Sequence, residues 1–250
     1  LRIAKFGARP VPFMSVMANE GDLATKFGIT VVPVSPTAIA ARMDELIQGK
    51  DERLAEYLAD VKGRMDTSSM EEDKVTRAAA AKLAVQDLME KNHCTAGAME
   101  CWSAVPILGV PICMTLGEMA DEGLPISCET DINGAVTLAM LQAVTLGKES
   151  SFLADLTIRH PQNDNAELLW HCGPFPYSLK DSGCQARLVG GQERFELKKG
   201  DITVCRFDDC DGKYYLFGGE GRAVEGPETN GTYVWFETDN WKRWEEKLMF

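Results

Sequence analysis

The chain has 250 residues, of which 45% are hydrophobic, and it carries a formal net charge of −12 at pH 7 with a pI near 4.8. This length and apolar content suffice for one large domain or two smaller ones. The acidic balance, without any concentrated basic stretch, argues against nucleic acid and anionic membrane surfaces as partners.

Targeting signals are missing from the sequence. No apolar run approaches the roughly 20 residues that a membrane-spanning helix needs. The N-terminus also lacks the charged-then-apolar pattern of a signal peptide. We therefore expect a soluble, cytoplasmic protein that does not bind membranes. Because the sequence begins with Leu1 rather than Met, we expect a fragment or processed piece of a longer protein.

The eight cysteines have irregular spacings and form no CxxC pair. This pattern favours neither a disulfide framework nor a structural zinc site. Most of the cysteines are interpreted as buried thiols in a reducing compartment, where free cysteine behaves as a small apolar residue.

The first half of the chain alternates predicted strands and helices. A strand over residues 2–7 precedes a helix that Gly28 ends, and the strand ITVVPVS follows. Ser35 and Pro36 are the expected N-cap and first residue of the next helix. Helices over 51–65 and 71–91 then lead to the strand CTAGAMECW and a loop rich in proline and glycine. This alternation predicts a parallel sheet.

The stretch 126–173 places polar side chains where strands should end and helices begin. LPISCE is a short predicted strand ahead of Glu129, and DINGAV is a helix start with Asp131 as its N-cap. SFLADL is predicted to be a second strand that ends with Asp155. Strand carboxyl ends form the rim of the ligand crevice in an open α/β sheet. Two such carboxylates and His171 are consistent with a divalent-metal site.

The later part of the chain has shorter predicted strands and denser Gly and Asp residues. Asp211 and Gly212 lie between two strand-like runs and predict a hairpin. We place a boundary near residue 150. The predicted fold is therefore α/β: a parallel-sheet domain over 1–150 with the first metal carboxylate, then a smaller β-rich, antiparallel or barrel-like domain over 151–250 with the second carboxylate and the histidine.

The motifs CETDINGA, FLADL and NDNAELLWHCGPFP resemble those of the L-fucose isomerase/L-arabinose isomerase superfamily, closest to its L-fucose isomerase-like members. The resemblance covers most of the chain and fits the middle and C-terminal domains of that family. It implies that Glu129, Asp155 and His171 bind a catalytic divalent metal, usually manganese. It also implies that Glu129 and Asp155 are the acid/base pair of an aldose–ketose isomerase.

The resemblance further implies a homo-oligomer, a trimer or a hexamer. Proteins of this family carry an additional N-terminal α/β domain, and that domain of a neighbouring subunit helps to close the active site. We expect this domain to be absent from the chain, so that catalysis by the chain alone is in question.

The residues suggest the same chemistry independently of the family. Two carboxylates and one imidazole form a mostly oxygen donor set, which suits Mn²⁺ or another divalent cation such as Mg²⁺ or Co²⁺ better than structural zinc. A metal that chelates the C1 and C2 oxygens of an open-chain sugar lowers the cost of an enediolate. Two carboxylates in different environments then divide the acid and base roles. The hypothesis is a cis-enediol proton transfer.

Five further residues are candidates for contacts with the substrate. Trp102 and Trp170 are placed to stack on sugar C–H faces, although apolar packing is the plainer role for a tryptophan. Asn165 and Glu167 belong to a polar cluster suited to hydroxyl recognition, although NDN is also ordinary turn chemistry. His160 is a reserve ligand or substrate contact, predicted to lie in a loop before Pro161.

Two other classes of function stay open at this stage. A sugar-binding or regulatory module would keep the fold and the pocket without turnover. A metal-dependent hydrolase or an aldolase-like lyase would use the same three ligands.

Overall fold

A computed structural model describes residues 1–248 of the chain. In that part the chain forms eleven β-strands and eight α-helices. The strands are β1 Arg2–Phe6, β2 Thr30–Val34, β3 Ala96–Met99, β4 Ile126–Cys128, β5 Asp155–His160, β6 Asn163–His171, β7 Arg187–Val189, β8 Gln192–Glu196, β9 Asp201–Cys210, β10 Lys213–Val224 and β11 Thr232–Glu237. The helices are α1 Glu20–Phe27, α2 Pro36–Gln48, α3 Glu52–Arg64, α4 Glu72–Lys91, α5 Val105–Leu108, α6 Cys113–Asp121, α7 Ile132–Val144 and α8 Trp241–Leu248.

The first sheet has four parallel strands in the order β2-β1-β3-β4. Side chains alternate along β1, so that Ala4 and Phe6 pack in a core with α2 and α4. Ile3 faces the opposite way and packs with Leu23 of α1 and Ile132 of α7. Helices therefore cover both faces, as parallel sheets require. The predicted α/β class and parallel sheet are confirmed.

Local sequence signals fix several helix ends as predicted. The Ser35 hydroxyl accepts a hydrogen bond from the Thr37 amide at 3.2 Å, and Pro36 is the first residue of α2. Gly28 ends α1 in the left-handed conformation, with φ of 66°. A side chain at that φ would be strained, which explains glycine there.

The second sheet is mostly antiparallel and has the order β5-β6-β11-β10-β9, with β8 beside β11 and β7 beside β8. The predicted hairpin is confirmed: Cys210 of β9 pairs with Lys213 of β10. Asp211 and Gly212 between them have φ of 51° and 73°, as a two-residue hairpin turn requires. The β-rich part of the fold class is thus confirmed, whereas the boundary near residue 150 stays a prediction.

The predicted strand SFLADL is wrong. Residues 151–154 are irregular, and Asp155 begins β5 in the second sheet rather than ending a strand. The Ser151 hydroxyl donates to the Leu138 carbonyl at 3.2 Å, and Phe152 packs on Phe175 with ring centroids 4.5 Å apart. These tertiary contacts hold the apolar run outside the sheet, so local strand propensity does not decide its structure.

Two smaller predictions also differ from the structure. The loop predicted after Cys101 contains α5, which Gly109 ends at φ of 76°. His160, predicted to lie in a loop, is the last residue of β5 and pairs with Asn163 across a tight turn. In both places the turn occupies only two or three residues. The helix or strand therefore extends closer to the turn than the proline and glycine residues of the segment indicate.

No single helix within residues 1–248 is both long and apolar enough to cross a membrane. The bent pair Trp102–Leu108 and Cys113–Asp121, whose arms differ in direction by 101°, reaches the required length and composition only when taken together. Residues 113–120 of this pair are buried in the fold. Helices that are buried in the core of a protein commonly have the same apolar composition as this pair.

Glu193 of β8 is buried, with an exposed fraction of 0%, and neither of its carboxyl oxygens has a hydrogen-bond partner within residues 1–248. Burial, followed by the charge of Glu118, raises its pKa well above the ordinary carboxyl range, and Arg64 offsets only part of this shift. The Arg64 guanidinium instead makes two hydrogen bonds, of 2.9 and 2.8 Å, to Glu118. Burial therefore favours the neutral form of Glu193.

The Glu193→Gln substitution is expected to stabilise the protein increasingly as pH rises. Below an ordinary carboxyl pKa of about 4.3, Glu193 is neutral in both the folded and the unfolded states. Above it only the unfolded state ionises, which lowers the free energy of unfolding of the unaltered protein by up to about 1.4 kcal/mol per pH unit until the raised pKa is reached. Denaturant unfolding from about pH 4 to pH 8 measures this difference.

Glu220→Gln, on an exposed position of β10, is the matched control and should leave the pH dependence unchanged. A difference between Glu193→Gln and the unaltered protein that stays constant with pH would contradict the neutral, buried carboxyl.

Candidate functional site

The carboxyl ends of β3 and β4 form one side of the site. Met99, the last residue of β3, pairs with Cys128, the last residue of β4. Cys101 and Trp102 follow β3, and Glu129 follows β4. These two segments therefore lie side by side at the edge of the sheet where ligand crevices form.

The backbone turns sharply at Glu129. Glu129 and Thr130 have φ of 62° and 59°, a left-handed conformation that costs of order 1–3 kcal/mol for each non-glycine residue. The Thr130 amide donates to the Met99 carbonyl at 3.0 Å. Asp131 is the N-cap of α7, as predicted, and accepts from the Gly134 amide at 2.8 Å. Asp131 is also ion-paired with Arg206 of β9, so both sides of the turn are fixed.

Glu129 lies between Trp102 and Cys128. The Trp102 indole N–H donates to Oε2 at 2.9 Å, and the Cys128 thiol donates to Oε1 at 3.3 Å. Burial raises the pKa of Glu129, the charge of Asp155 raises it further, and the two hydrogen bonds lower it. The site therefore favours the neutral form of this carboxyl more than solvent does.

The β5–β6 pair brings Asp155 and His171 to the same region. Asp155 is paired with Trp170, the residue before His171. His171 is 6% exposed, and its Nδ1 accepts from the Cys172 amide at 2.9 Å. Burial lowers the pKa of His171, whereas the charge of Asp155 raises it. Asp155 thus lies within electrostatic reach of both Glu129 and His171.

Neither of the two carboxylates has a cationic partner. Within residues 1–248, no ion pair with a lysine or arginine involves Glu129 or Asp155. Asp87 and Asp131, which like Glu129 have restricted exposure, do have such a partner, whereas Asp155 is exposed to solvent. Two carboxylates without a cationic partner leave local negative charge that a bound cation would neutralise.

Four cysteines from separate elements meet beside these residues. Cys101 follows β3, Cys113 begins α6, Cys128 ends β4 and Cys172 follows β6. The Cys113 and Cys172 sulfurs are 3.5 Å apart, and the Cys101 thiol faces the thiols of the other three. Along the described chain none of the eight cysteines is in a disulfide. Four of the eight are buried, three are half-buried and one is exposed, so the prediction that most are buried holds for only half of them. The convergence of four cysteines was not predicted.

A sequence signal for this convergence existed. Three of the four cysteines are direct neighbours of predicted site residues: Cys101 precedes Trp102, Cys128 precedes Glu129, and Cys172 follows His171. Cys113 has no such neighbour, and only the fold places it in the cluster.

The closest group of potential metal ligands differs from the predicted one. Among the residues described, the sulfurs of Cys101 and Cys128 and a carboxylate oxygen of Glu129 all lie within 4.8 Å of one another. The ligand atoms of Glu129, Asp155 and His171 are not gathered this closely. The structure brings these three residues to one region, and their joint ligation of a metal stays a prediction.

The two predicted stacking tryptophans border the site. Trp102 is 54% exposed, and the Phe13 ring meets it edge-on with centroids 6.3 Å apart. The Trp170 ring lies parallel to the His171 ring, with centroids 6.3 Å apart, and its indole N–H donates to the Asn230 carbonyl at 2.6 Å. Both rings are adjacent to predicted ligands, and their contacts with sugar stay predictions.

The other three predicted substrate contacts lie elsewhere. Asn165 is six residues before His171 on β6, which places it roughly 20 Å away along an extended strand. The Asn165 side-chain oxygen accepts from the Trp241 amide at 3.2 Å. Oε1 of Glu167 lies 3.7 Å from Nε of Arg159, with which it forms an ion pair. His160 is at the opposite end of β5 from Asp155.

His160 has partners of its own in the second sheet. One ring nitrogen is 3.1 Å from the Glu225 carbonyl, and the other accepts from the Gln162 amide at 3.1 Å. Its ring meets Trp235 edge-on with centroids 4.8 Å apart. The structure therefore does not bring His160, Asn165 or Glu167 together with Glu129.

Comparison with known proteins identifies sugar isomerases as relatives. The chain is 28% identical over 243 residues to the sulfoquinovose isomerase of Alkalicoccus urumqiensis, which covers 94% of this chain and 54% of that protein. The enzyme of the same name from Priestia megaterium is 27% identical over 244 residues, covering 94% of this chain and 53% of the relative. A third, from Clostridium sp., is 26% identical over 242 residues, covering 91% and 52%.

The chain thus spans about half the length of the curated relatives it matches. No protein-family model matches the sequence. These relatives support an isomerase of sugars, whereas membership of the L-fucose isomerase/L-arabinose isomerase superfamily stays a prediction.

Replacing Asp131 should loosen the turn that carries Glu129. Asp131→Ala removes the N-cap of α7 and leaves Arg206 with only the more exposed Asp208 as an ion-pair partner. We expect a loss of about 2–3 kcal/mol in the free energy of unfolding. Asp131→Asn keeps a capping oxygen and should lose less, since asparagine caps helices as well as aspartate does. Denaturant unfolding measures both, and equal losses would contradict a capping contribution.

Proposed function

We propose that this chain carries the metal site of a sugar isomerase that interconverts an aldose and a ketose. The observation that supports it most is the convergence of three groups at the carboxyl edge of the first sheet, where the charge of Asp155 acts on both Glu129 and His171. The sulfoquinovose isomerases among its relatives support the same reaction class.

The donor set fits a hard divalent cation. Two carboxylates without cationic partners and one buried imidazole, whose pKa burial lowers, supply two oxygen ligands and one nitrogen ligand. His171 Nδ1 accepts from the Cys172 amide at 2.9 Å, so the neutral ring carries its proton on Nε2. Binding of a cation at Nε2 would shift this proton to Nδ1, where the Cys172 sulfur at 3.2 Å would accept it. Glu129, Asp155 and His171 would hold Mn²⁺, Mg²⁺ or Co²⁺ once their side chains close toward one another.

The two carboxylates are suited to different proton-transfer roles. When bound, the cation polarises the substrate carbonyl and stabilises the negative charge that develops across C1 and C2. Burial raises the pKa of Glu129, and we assign this residue the donation of a proton to the substrate oxygen. Asp155, which is exposed, is suited to take the proton from the neighbouring carbon. We therefore propose a cis-enediol path with these roles.

Trp102 positions Glu129 and offers a surface to the sugar. Its indole N–H holds one carboxylate oxygen, while 54% of the residue is exposed beside the site. An aromatic face that is partly exposed next to an acid/base group is suited to pack against the C–H face of an open-chain sugar. The names of the relatives make sulfoquinovose the first sugar to test.

A homo-oligomer is part of the proposal. Val11, Met14 and Met17 are exposed by 85%, 60% and 52%, in the segment that also places Phe13 against Trp102. Exposed apolar side chains of this kind are common at subunit contacts. A trimer or hexamer in light scattering, dissociated by charged substitutions at Met14 and Met17, would support this assembly, and a monomer would exclude it.

Variants of the three proposed ligands should abolish turnover. Glu129→Gln, Asp155→Asn and His171→Asn are each expected to lower Mn²⁺-dependent ketose formation by at least about 100-fold, because each removes a ligand or an acid/base group. Asp164→Asn, at an exposed position near the other end of β6, is the matched control and should retain full activity. Chelation should abolish activity and added Mn²⁺ should restore it.

The assay uses sulfoquinovose, L-fucose, D-arabinose and L-arabinose. Ketose formation that persists in all three variants would contradict the assignment of the residues. Sugar binding without conversion would favour a binding module, and a hydrolytic product would favour a hydrolase.

The proton path has its own test. In D₂O a cis-enediol intermediate should incorporate solvent deuterium at the carbon that accepts the proton, because the carboxyl group exchanges with solvent between the two transfers. Mass spectrometry or NMR of the product measures this. Product free of deuterium would favour a hydride shift or a shielded proton.

A further inference from the structure

The sulfur-rich side of Glu129 has the geometry of a second kind of metal site. The sulfurs of Cys101 and Cys128 and one oxygen of Glu129 all lie within 4.8 Å of one another. A tetrahedral ion with ligands at about 2.3 Å places neighbouring donor atoms about 3.8 Å apart. The three groups therefore need to approach one another by roughly 1 Å or less to share an ion.

The fold holds these donors in place before any ion binds. Cys128 ends β4, and the Thr130 amide just beyond it is bonded to the Met99 carbonyl at 3.0 Å. The Cys101 carbonyl accepts from the Ala104 amide at 3.0 Å in the short turn after β3. Ligands on a fixed backbone lose little conformational freedom on binding, which favours affinity.

The donor chemistry points to a soft cation. Two thiolates and one carboxylate match the preferences of Zn²⁺ and Cd²⁺, whereas Mn²⁺ and Mg²⁺ favour oxygen ligands. The Cys113 and Cys172 sulfurs, 3.5 Å apart, lie next to Cys101 and extend the sulfur-rich side. Buried thiols usually act as small apolar residues. Apolar packing alone does not account for the Glu129 carboxylate, which lies within hydrogen-bond distance of the Cys128 thiol.

An ion can reach the site from solvent. Cys101 and Cys128 are only 5% and 1% exposed, but Glu129 is half-buried and Trp102 beside it is 54% exposed. The carboxylate therefore faces both solvent and the thiols. Binding would release the two thiol protons to solvent as the two metal–sulfur bonds form.

We propose that Cys101, Cys128 and Glu129 form a binding site for a thiophilic divalent cation such as Zn²⁺ or Cd²⁺. This site shares Glu129 with the hard-cation site but uses none of its other ligands. Its existence does not depend on isomerase activity. Its consequence for activity does rest on the proposed function: because one carboxylate serves both sites, a bound thiophilic ion withdraws Glu129 from catalysis.

Cadmium is the probe for this site. Addition of Cd²⁺ to the reduced protein, without sugar and under anaerobic conditions, should produce a sulfur-to-cadmium charge-transfer band in the ultraviolet that saturates near one ion per chain. Cys101→Ser and Cys128→Ser should each raise the dissociation constant beyond the roughly 10- to 100-fold typical of losing an outer partner. Cys210→Ser, which removes an exposed thiol at the end of β9, is the control and should bind as the unaltered protein does.

Far-ultraviolet circular dichroism checks that the variants are folded. X-ray absorption at the metal edge of the unaltered protein counts sulfur neighbours without any substitution. At least two sulfurs in the shell are expected. A shell of oxygen and nitrogen alone, or equal Cd²⁺ affinity in the unaltered protein and both serine variants, would overturn the proposal.

The two proposals fail in different assays. Ketose formation with Mn²⁺ and no Cd²⁺ tests only the isomerase, whereas the charge-transfer band tests only the thiolate site. If both hold, stoichiometric Cd²⁺ should inhibit Mn²⁺-dependent turnover at least 10-fold, and Cys128→Ser should relieve that inhibition. Undiminished turnover with the band fully developed would show that Glu129 is not shared.

Discussion

The turn at Glu129 and Thr130 is the constraint on which the site depends. Two consecutive non-glycine residues in the left-handed conformation are costly, and the cost is offset by bonds on either side. The Thr130 amide is held by β3, while the N-cap Asp131 is held by both α7 and Arg206 of the second sheet. The carboxylate is therefore directed at the edge of the first sheet by contacts that span both sheets.

Two buried glutamates show what distinguishes this position from ordinary burial. Glu193 has no hydrogen-bond partner among residues 1–248, and burial is the largest cause of its raised pKa. Glu129 is less buried, yet each of its oxygens has a donor, one from an indole and one from a thiol. Both carboxyls favour the neutral form, but only Glu129 is also open to solvent and to other potential ligands. The environment of Glu129 is thus suited to the gain and loss of a proton or a cation, whereas the environment of Glu193 favours retention of its proton.

The sequence allowed prediction of those features that local signals determine. The caps at Ser35 and Asp131, the stop at Gly28 and the hairpin at Asp211 each depend on residues within one turn, and all are confirmed. The strand expected at SFLADL failed because long-range packing of Phe152 overrides local propensity. The separation of Asn165 from His171 follows from β6 being one continuous strand, whereas the sequence NDN favours a turn. The meeting of four cysteines depends on β3, β4, α6 and β6 together, so no spacing rule reveals it.

The two proposed metal sites share Glu129, although one has hard oxygen and nitrogen donors and the other has soft sulfur donors. The metal that binds would therefore determine whether Glu129 is available for proton transfer. Glu129 is near the charge of Asp155 and within 4.8 Å of the sulfurs of Cys101 and Cys128. Among the residues described, the Cys101, Cys128 and Glu129 donors need to close by only roughly 1 Å or less to share an ion, so a thiophilic ion needs less movement of the protein to bind. A hard ion requires Asp155 and His171, which are carried by the second sheet, to close on a residue held at the edge of the first. Occupancy of the proposed hard-cation site would therefore depend on the relative position of the two sheets, whereas occupancy of the proposed thiophilic site would depend on the first sheet alone.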